Sequence, residues 1–323
     1  MRLDILHMNT NDNGLAFLFP GQGSQSVGML RELAADHPEV EQTFQVASDT
    51  LGFDLWRLVS EGPAEKLNLT EYTQPAMLAA GFSAWRVWSK VCGAVPGWMA
   101  GHSLGEYTAL VCAGAIAFED AVTLVAERAR LMQQAVPPDT GAMAAILGLD
   151  DPKVVSLCSS LSSEREIVTP ANFNAPGQIV IAGHAAAVAR VIEGAKADGA
   201  KRAVLLPVSV PSHCPLMRSA AEKFRETLAK LKIETPTVPV VHNVDVATHP
   251  APEVIRAVLE KQLHGSVRWA DSVRFMYEQG VRRFIECGPA KVLSGLNKRI
   301  VPAARVEAIF NPDSLNRALE LVK

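Results

Sequence analysis

Gly101-His102-Ser103-Leu104-Gly105-Glu106 has the form G-x-S-x-G. Apolar residues Trp98, Met99 and Ala100 lead into it, and a helical pattern over residues 106–113 leads out. A serine between a strand and a helix sits on a sharp turn that lifts its Oγ clear of the backbone, and small neighbours leave room for that turn. The N–H groups that open the following helix favour negative charge at the same place. The segment therefore predicts a nucleophile elbow with Ser103 as nucleophile, carried by an α/β fold. The same motif also occurs as a plain small-residue turn, so the flanking chain has to decide between the two.

The flanks are those of a globular α/β protein. The 323 residues are 48% hydrophobic and 20% charged, enough for a sizeable core. A net charge of -3, without charge blocks, gives no reason to expect nucleic acid or a membrane surface as partner. No apolar run approaches the ~18 residues of a membrane span, and no basic-then-apolar leader is visible. Five scattered cysteines (Cys92, Cys112, Cys158, Cys214, Cys287) make neither a metal spacing nor a disulfide framework. They point to the cytoplasm and offer no metal site.

Upstream of the elbow, residues 1–13 are polar and read as a flexible N-terminal tail. Residues 15–19 read as a buried parallel strand running into Pro20-Gly21-Gln22-Gly23-Ser24-Gln25, a turn with free backbone N–H groups that lacks the pattern of a phosphate loop. Thr73-Gln74-Pro75 reads as a helix start, with Thr73 as cap and Pro75 in the first turn. Gln74 is there either as an ordinary first-turn polar residue or as a ligand contact. Downstream, a helix over residues 118–135 carries Arg128 on its apolar stripe with Ala121, Leu124 and Val125. A buried guanidinium must be paired. Two readings stand: a structural ion pair or snorkelling stem, and a carboxylate clamp in a cleft.

Pro137, Pro138 and Gly141 mark a change of style. Residues 139–208 read βαββαβ, a small ferredoxin-like α+β subdomain inserted in a large α/β-hydrolase-like domain of mostly parallel sheet, residues 14–138 and 209–323. Just beyond the insertion stands Val210-Pro211-Ser212-His213-Cys214-Pro215. Of eight histidines, His213 is the best placed for a general base, because it follows a strand end and is boxed by prolines. His102 adjoins the serine, but the turn is expected to aim it elsewhere.

Taken together, residues 19–25, Thr73-Gln74-Pro75, residues 101–106, Arg128, Pro211-Ser212-His213 and Gly288-Pro289-Ala290-Lys291-Val292-Leu293 resemble the malonyl-CoA:acyl carrier protein transacylase family of bacterial fatty acid synthesis. The resemblance spans about residues 15–310 and departs at Ala290, where relatives often carry glycine. It implies a malonyl-serine intermediate on Ser103 with His213 as base, no cofactor, and malonyl-CoA and holo acyl carrier protein as partners of a monomer. The backbone N–H groups of Gln22 and Leu104 would form the oxyanion hole, each donor being worth ~3 kcal/mol in a transition state. Arg128 would bind the malonyl carboxylate, and Gln74 would help hold the acyl group. The histidine would be oriented by a main-chain carbonyl, placed here at Arg268. Two other readings remain open. One is the same chemistry for a malonate decarboxylase or polyketide carrier, and the other is a serine thioesterase or esterase. A non-catalytic docking protein is a third class, against which an intact Ser103, His213 and Arg128 argue.

Overall fold

The computed structural model describes residues 12–208 and 210–323. Strands β1 (Asp12–Phe19) and β2 (Pro96–Gly101) come first in the chain. Next come β3 (Gly141–Leu147), β4 (Val168–Ala175), β5 (Gln178–His184) and β6 (Arg202–Leu205). The last three are β7 (Val240–Val241), β8 (Arg283–Cys287) and β9 (Arg305–Ile309).

Two sheets result. The large one has the order β7-β2-β1-β8-β9 with every pairing parallel. β1 lies at its centre, which is why Leu15 to Phe19 are all apolar and fully buried: both faces of the strand are covered. Alternate residues serve opposite layers. Phe17 packs edge-on against Trp85 and Trp88 of the Thr70–Val91 helix, each at 5.2 Å between ring centroids. Ala16 and Leu18 join the core around Trp269, Val273 and Phe284 on the other side.

The small sheet has the order β4-β5-β3-β6, entirely antiparallel, with helices Asp151–Leu161 and Ala185–Ala197 after β3 and β5. This is the ferredoxin-like arrangement. One face holds its own core of Ile146, Ile179, Ile181, Val188 and Val191. The other presents Met143, Val180 and Ala182 towards Cys214 and the large sheet. A parallel bridge from Asn172 to Val267 ties the two parts together, through Phe173 N–H to Val267 O (2.9 Å) and Val267 N–H to Ala171 O (2.8 Å).

Two local expectations are corrected. Asp12 and Asn13 are not tail: β1 begins at Asp12, whose carboxylate takes both hydrogen bonds from Arg283 Nη2 (2.7 and 2.9 Å). The rest of the expected tail, residues 1–11, lies outside the described residues. The second concerns Thr73, which is no cap. The helix starts a turn earlier at Thr70, and the Thr73 hydroxyl donates back to Leu67 O (2.6 Å). Pro75 therefore lies inside the helix.

Parallel pairing brings the C-terminal ends of β1, β2, β7 and β8 to one edge, where ligands bind in open α/β sheets. The turns there touch. A Cβ on Gly105 would overlap the Phe19 carbonyl, one on Gly101 would overlap the Gly105 backbone, and one on Gly21 would lie 2.5 Å from the His102 carbonyl. No rotamer relieves a clash with backbone. Gly105→Ala is expected to lose ~3 kcal/mol or more in urea unfolding. Gly295→Ala serves as the control: it sits exposed in the Val292–Ile300 helix with open space around it, and gains ~0.5–1 kcal/mol.

Candidate active site

Ser103 leaves β2 with φ 52°, a backbone conformation that L-residues seldom hold and that the surroundings must enforce. Asn243, one residue past the His242 that follows β7, does so from both sides. Its Oδ1 accepts from Ser103 N–H (2.8 Å) and its Nδ2 donates to Gly101 O (2.7 Å). His213 is also in the left-handed region, at φ 62°, and its own N–H donates to Leu263 O (3.0 Å). The two strained residues meet: Ser103 Oγ lies 2.7 Å from His213 Nε2.

The other ring nitrogen, Nδ1, lies 2.8 Å from the main-chain carbonyl of Gln262. A carbonyl only accepts, so Nδ1 carries the proton and Nε2 turns its lone pair to the serine hydroxyl. This corrects the expectation at Arg268. The Arg268 carbonyl accepts from Ser272 N–H (2.9 Å) and Ser272 Oγ (3.0 Å), starting the Trp269–Glu278 helix, and its guanidinium pairs with Asp271. The carbonyl type is as expected; its owner is six residues earlier, where the Pro252–Gln262 helix ends.

Burial, and next the Arg128 cation, push the His213 imidazole down to about 3. It is therefore neutral and able to accept a proton at any pH well above that. The acid limb of kcat/KM, which reports the free enzyme, is expected well below pH 6.5, with activity flat between about pH 5 and 7. A limb near 6.5 in a pH–rate profile would contradict this. Stability follows with a definite sign: the unfolded chain binds this proton more readily, so the contribution is whole above pH 6.5 and declines as pH falls from 6.5 towards about 3.

Arg128, on the Phe118–Gln133 helix, is 1% exposed. Nη1 donates to Gln74 Oε1 (2.9 Å) and Nη2 to Gln262 Oε1 (3.1 Å), with Nη2 also 3.4 Å from Ser103 Oγ. The guanidinium lies over the Tyr107 ring at 5.2 Å. Among the described residues no carboxylate lies within ion-pair distance of it, and Nε has no hydrogen-bond partner. Of the two readings of Arg128, the first, a structural ion pair or a snorkelling stem, does not fit these contacts. A buried cation contacted only by neutral groups is poised for an anion from outside.

Gln22, Gln74, Ser103, Leu104, Arg128 and His213 all line one cleft of about 190 Å³. The small sheet adds Met143, Asn172, Asn174 and Val180 on the opposite wall. The main-chain N–H groups of Gln22 and Leu104 donate to no protein group among the described residues. His102, expected to point away, also lines the cleft. Its Nε2 meets Asn174 Oδ1 at 2.8 Å and its ring packs 5.6 Å from Trp269, joining the elbow to the small sheet.

Three buried residues of the site escaped the sequence reading. Gln262 and Asn243 each sit at the end of an element with no local motif. Glu106 is inside the quoted elbow, but nothing in the sequence distinguishes it from a first-turn helix acid.

A strained serine paired with a neutral histidine, beside donors free for an oxyanion, defines a serine-nucleophile acyl-transfer site. Comparison with known proteins agrees. The acyl transferase domain family matches residues 16–305. Malonyl CoA-acyl carrier protein transacylase of Salmonella typhimurium is 56% identical over 304 residues, covering 94% of this chain and 98% of the relative. The crystal structure of an acyl carrier protein S-malonyltransferase from Vibrio cholerae superposes with TM-score 0.92 at 52% identity, covering 94% of this chain and 99% of that one. A malonyl-transacylase in complex with a type II polyketide synthase acyl carrier protein superposes with TM-score 0.93 at 53% identity, covering 95% and 99%. The chain belongs to the acyl transferase domain family, in its malonyl-CoA:acyl carrier protein transacylase branch.

Proposed function

We propose that the chain moves a malonyl group from malonyl-CoA to the phosphopantetheine thiol of holo acyl carrier protein through a malonyl-Ser103 ester, in support of fatty acid synthesis. The observation that carries this is the buried Arg128 guanidinium, with no carboxylate partner among the described residues, 3.4 Å from the Ser103 hydroxyl. Malonyl differs from acetyl by a carboxylate, and a guanidinium fork beside the nucleophile is the group that reads the difference.

In the first half-reaction His213 Nε2 takes the proton of Ser103 Oγ as the oxygen bonds to the thioester carbon. The carbonyl oxygen becomes an oxyanion, held by the N–H groups of Gln22 and Leu104. Collapse breaks the carbon–sulfur bond, and CoA leaves as the thiol with the proton from His213. In the second half-reaction His213 deprotonates the carrier thiol, sulfur attacks the ester, and the proton returns to Ser103 Oγ. Gln74 orients the guanidinium throughout. Serine and imidazole supply all of this chemistry, so no metal or cofactor is needed. The small subdomain, taken as residues 139–208, shields the ester from water with Met143 and Val180. Cysteines free of disulfides support a cytoplasmic setting.

Intact mass spectrometry tests the reading. Malonyl-CoA should give a single malonyl adduct that disappears on addition of holo carrier protein, with the carrier gaining the same mass. An adduct cleared by water while the carrier is ignored would mark a hydrolase, and no adduct at all would overturn the mechanism. The polyketide carrier bound by one structural relative favours a second reading of the acceptor alone. Running the second step with both carrier types, and comparing rates, separates the two.

A further inference from the structure

Glu106 is wholly buried, directly behind the elbow, and the mechanism above gives it no part. Its two oxygens gather three donors from two places in the sequence, the adjacent His242 and Asn243 and the distant Gln262. Oε1 lies 2.7 Å from His242 Nδ1; Oε2 accepts from Asn243 N–H (3.0 Å) and from Gln262 Nε2 (2.9 Å). Two of these partners act on the reacting groups. Asn243 grips the main chain leading into the nucleophile, at Gly101 O and Ser103 N–H, and Gln262 touches the clamp.

The orientation of the Gln262 amide is what matters. One end of it lies 2.9 Å from both Ser103 O and Glu106 Oε2. Both are acceptors, so that end is the NH2 group. The other end, by necessity the oxygen, then meets Arg128 Nη2 at 3.1 Å. Turned over, the amide would set its NH2 against a guanidinium that can only donate, and its oxygen against two acceptors. The Ser103 carbonyl alone supplies a single acceptor for the NH2 group; the Glu106 oxygen supplies the second and blocks the reversal.

We propose that Glu106 is a positioning residue for the acyl carboxylate clamp: by fixing the amide of Gln262 it directs Gln262 Oε1 onto Arg128 and holds the guanidinium facing Ser103. This rests on the malonyl reading of Arg128, and it adds a specificity determinant that never touches the substrate. Glu106→Leu removes both acceptor oxygens at similar bulk, whereas Glu106→Gln keeps its amide oxygen on Gln262 and turns its NH2 to His242 Nδ1, which accepts in the other tautomer because Nε2 has no partner among the described residues.

The experiment measures kcat and KM of Glu106→Leu for malonyl-CoA and for acetyl-CoA, with Glu106→Gln as the conservative variant expected to keep close to the wild-type ratio. In Glu106→Leu the malonyl/acetyl ratio of kcat/KM should fall about tenfold or more, the scale of one hydrogen bond to a charged group, with the loss chiefly in malonyl KM. In an Arg128→Ala background the leucine substitution should leave the ratio unchanged. Gln262→Met, which keeps the main-chain carbonyl that serves His213, should shift the ratio the same way and provides the readout if Glu106→Leu does not fold. A ratio unchanged in folded Glu106→Leu, or malonyl and acetyl rates falling in equal proportion, would overturn the proposal and leave Glu106 a structural residue of the elbow. Failure of the wild-type protein to form a malonyl adduct would instead strike at the malonyl reading itself, so the two failures are distinguishable.

Discussion

Arg128→Ala is expected to lower kcat/KM for malonyl transfer by on the order of 10⁴ while leaving acetyl transfer intact or raised. The asymmetry follows from what each acyl group finds. A malonyl carboxylate meets two N–H groups of a buried, neutral-lined guanidinium, in surroundings where a charge-assisted fork is strong. An acetyl group leaves that cation buried and unpaired, a cost the wild-type site bears each time acetyl-CoA enters. Removing the side chain removes the attraction for one substrate and the penalty for the other. Arg128→Lys should fall between the two, since it keeps charge without the planar fork. The measurement is a pair of acyl-loading rates with the two thioesters, and an unchanged malonyl preference in Arg128→Ala would refute the clamp.

Ser103→Ala should show no acyl adduct and a fall in turnover on the order of 10⁶; His213→Ala should fall by a similar factor, and the double variant should be no worse than either. Non-additivity is the informative part. The 2.7 Å contact makes hydroxyl and imidazole one unit, so the loss of either leaves the other idle. Free energies that summed in the double variant would show that the two act separately. Folding is not expected to obscure the result, since the elbow is held by Asn243 through main-chain groups that both substitutions leave in place.

Much of the arrangement was legible in the chain itself. The all-apolar run at Leu15–Phe19 announced a buried parallel strand, and the glycines at 101 and 105 announced a tightly packed turn at the elbow. The alternation of residues 139–208 gave the ferredoxin-like order. Arg128 was conspicuous because a cation on an apolar stripe demands a partner. What stayed hidden was of a different kind. The owner of the carbonyl behind His213 cannot be read from residue types, because every residue has a carbonyl. Gln262 and Asn243 act across 159 and 140 residues of sequence separation, through contacts with Ser103 that leave no periodic trace. The cap at Thr73 was misplaced because a threonine that bonds back to the preceding turn looks, in sequence, like one that bonds forward.

The carbonyl behind His213 also decides how charge is distributed in the cleft. Where an aspartate orients a catalytic histidine, it brings a full negative charge along. Here such a charge would stand beside a guanidinium that already approaches the serine, and would become its permanent counter-ion. Malonyl would then have to displace a resident anion before it could bind. A main-chain dipole aligns the imidazole with no net charge, and Glu106 spends its oxygens on His242, Asn243 and Gln262. Arg128 therefore meets the incoming acyl group with no carboxylate in direct contact among the described residues, and the neutrality of the base's support is itself part of how the substrate is selected.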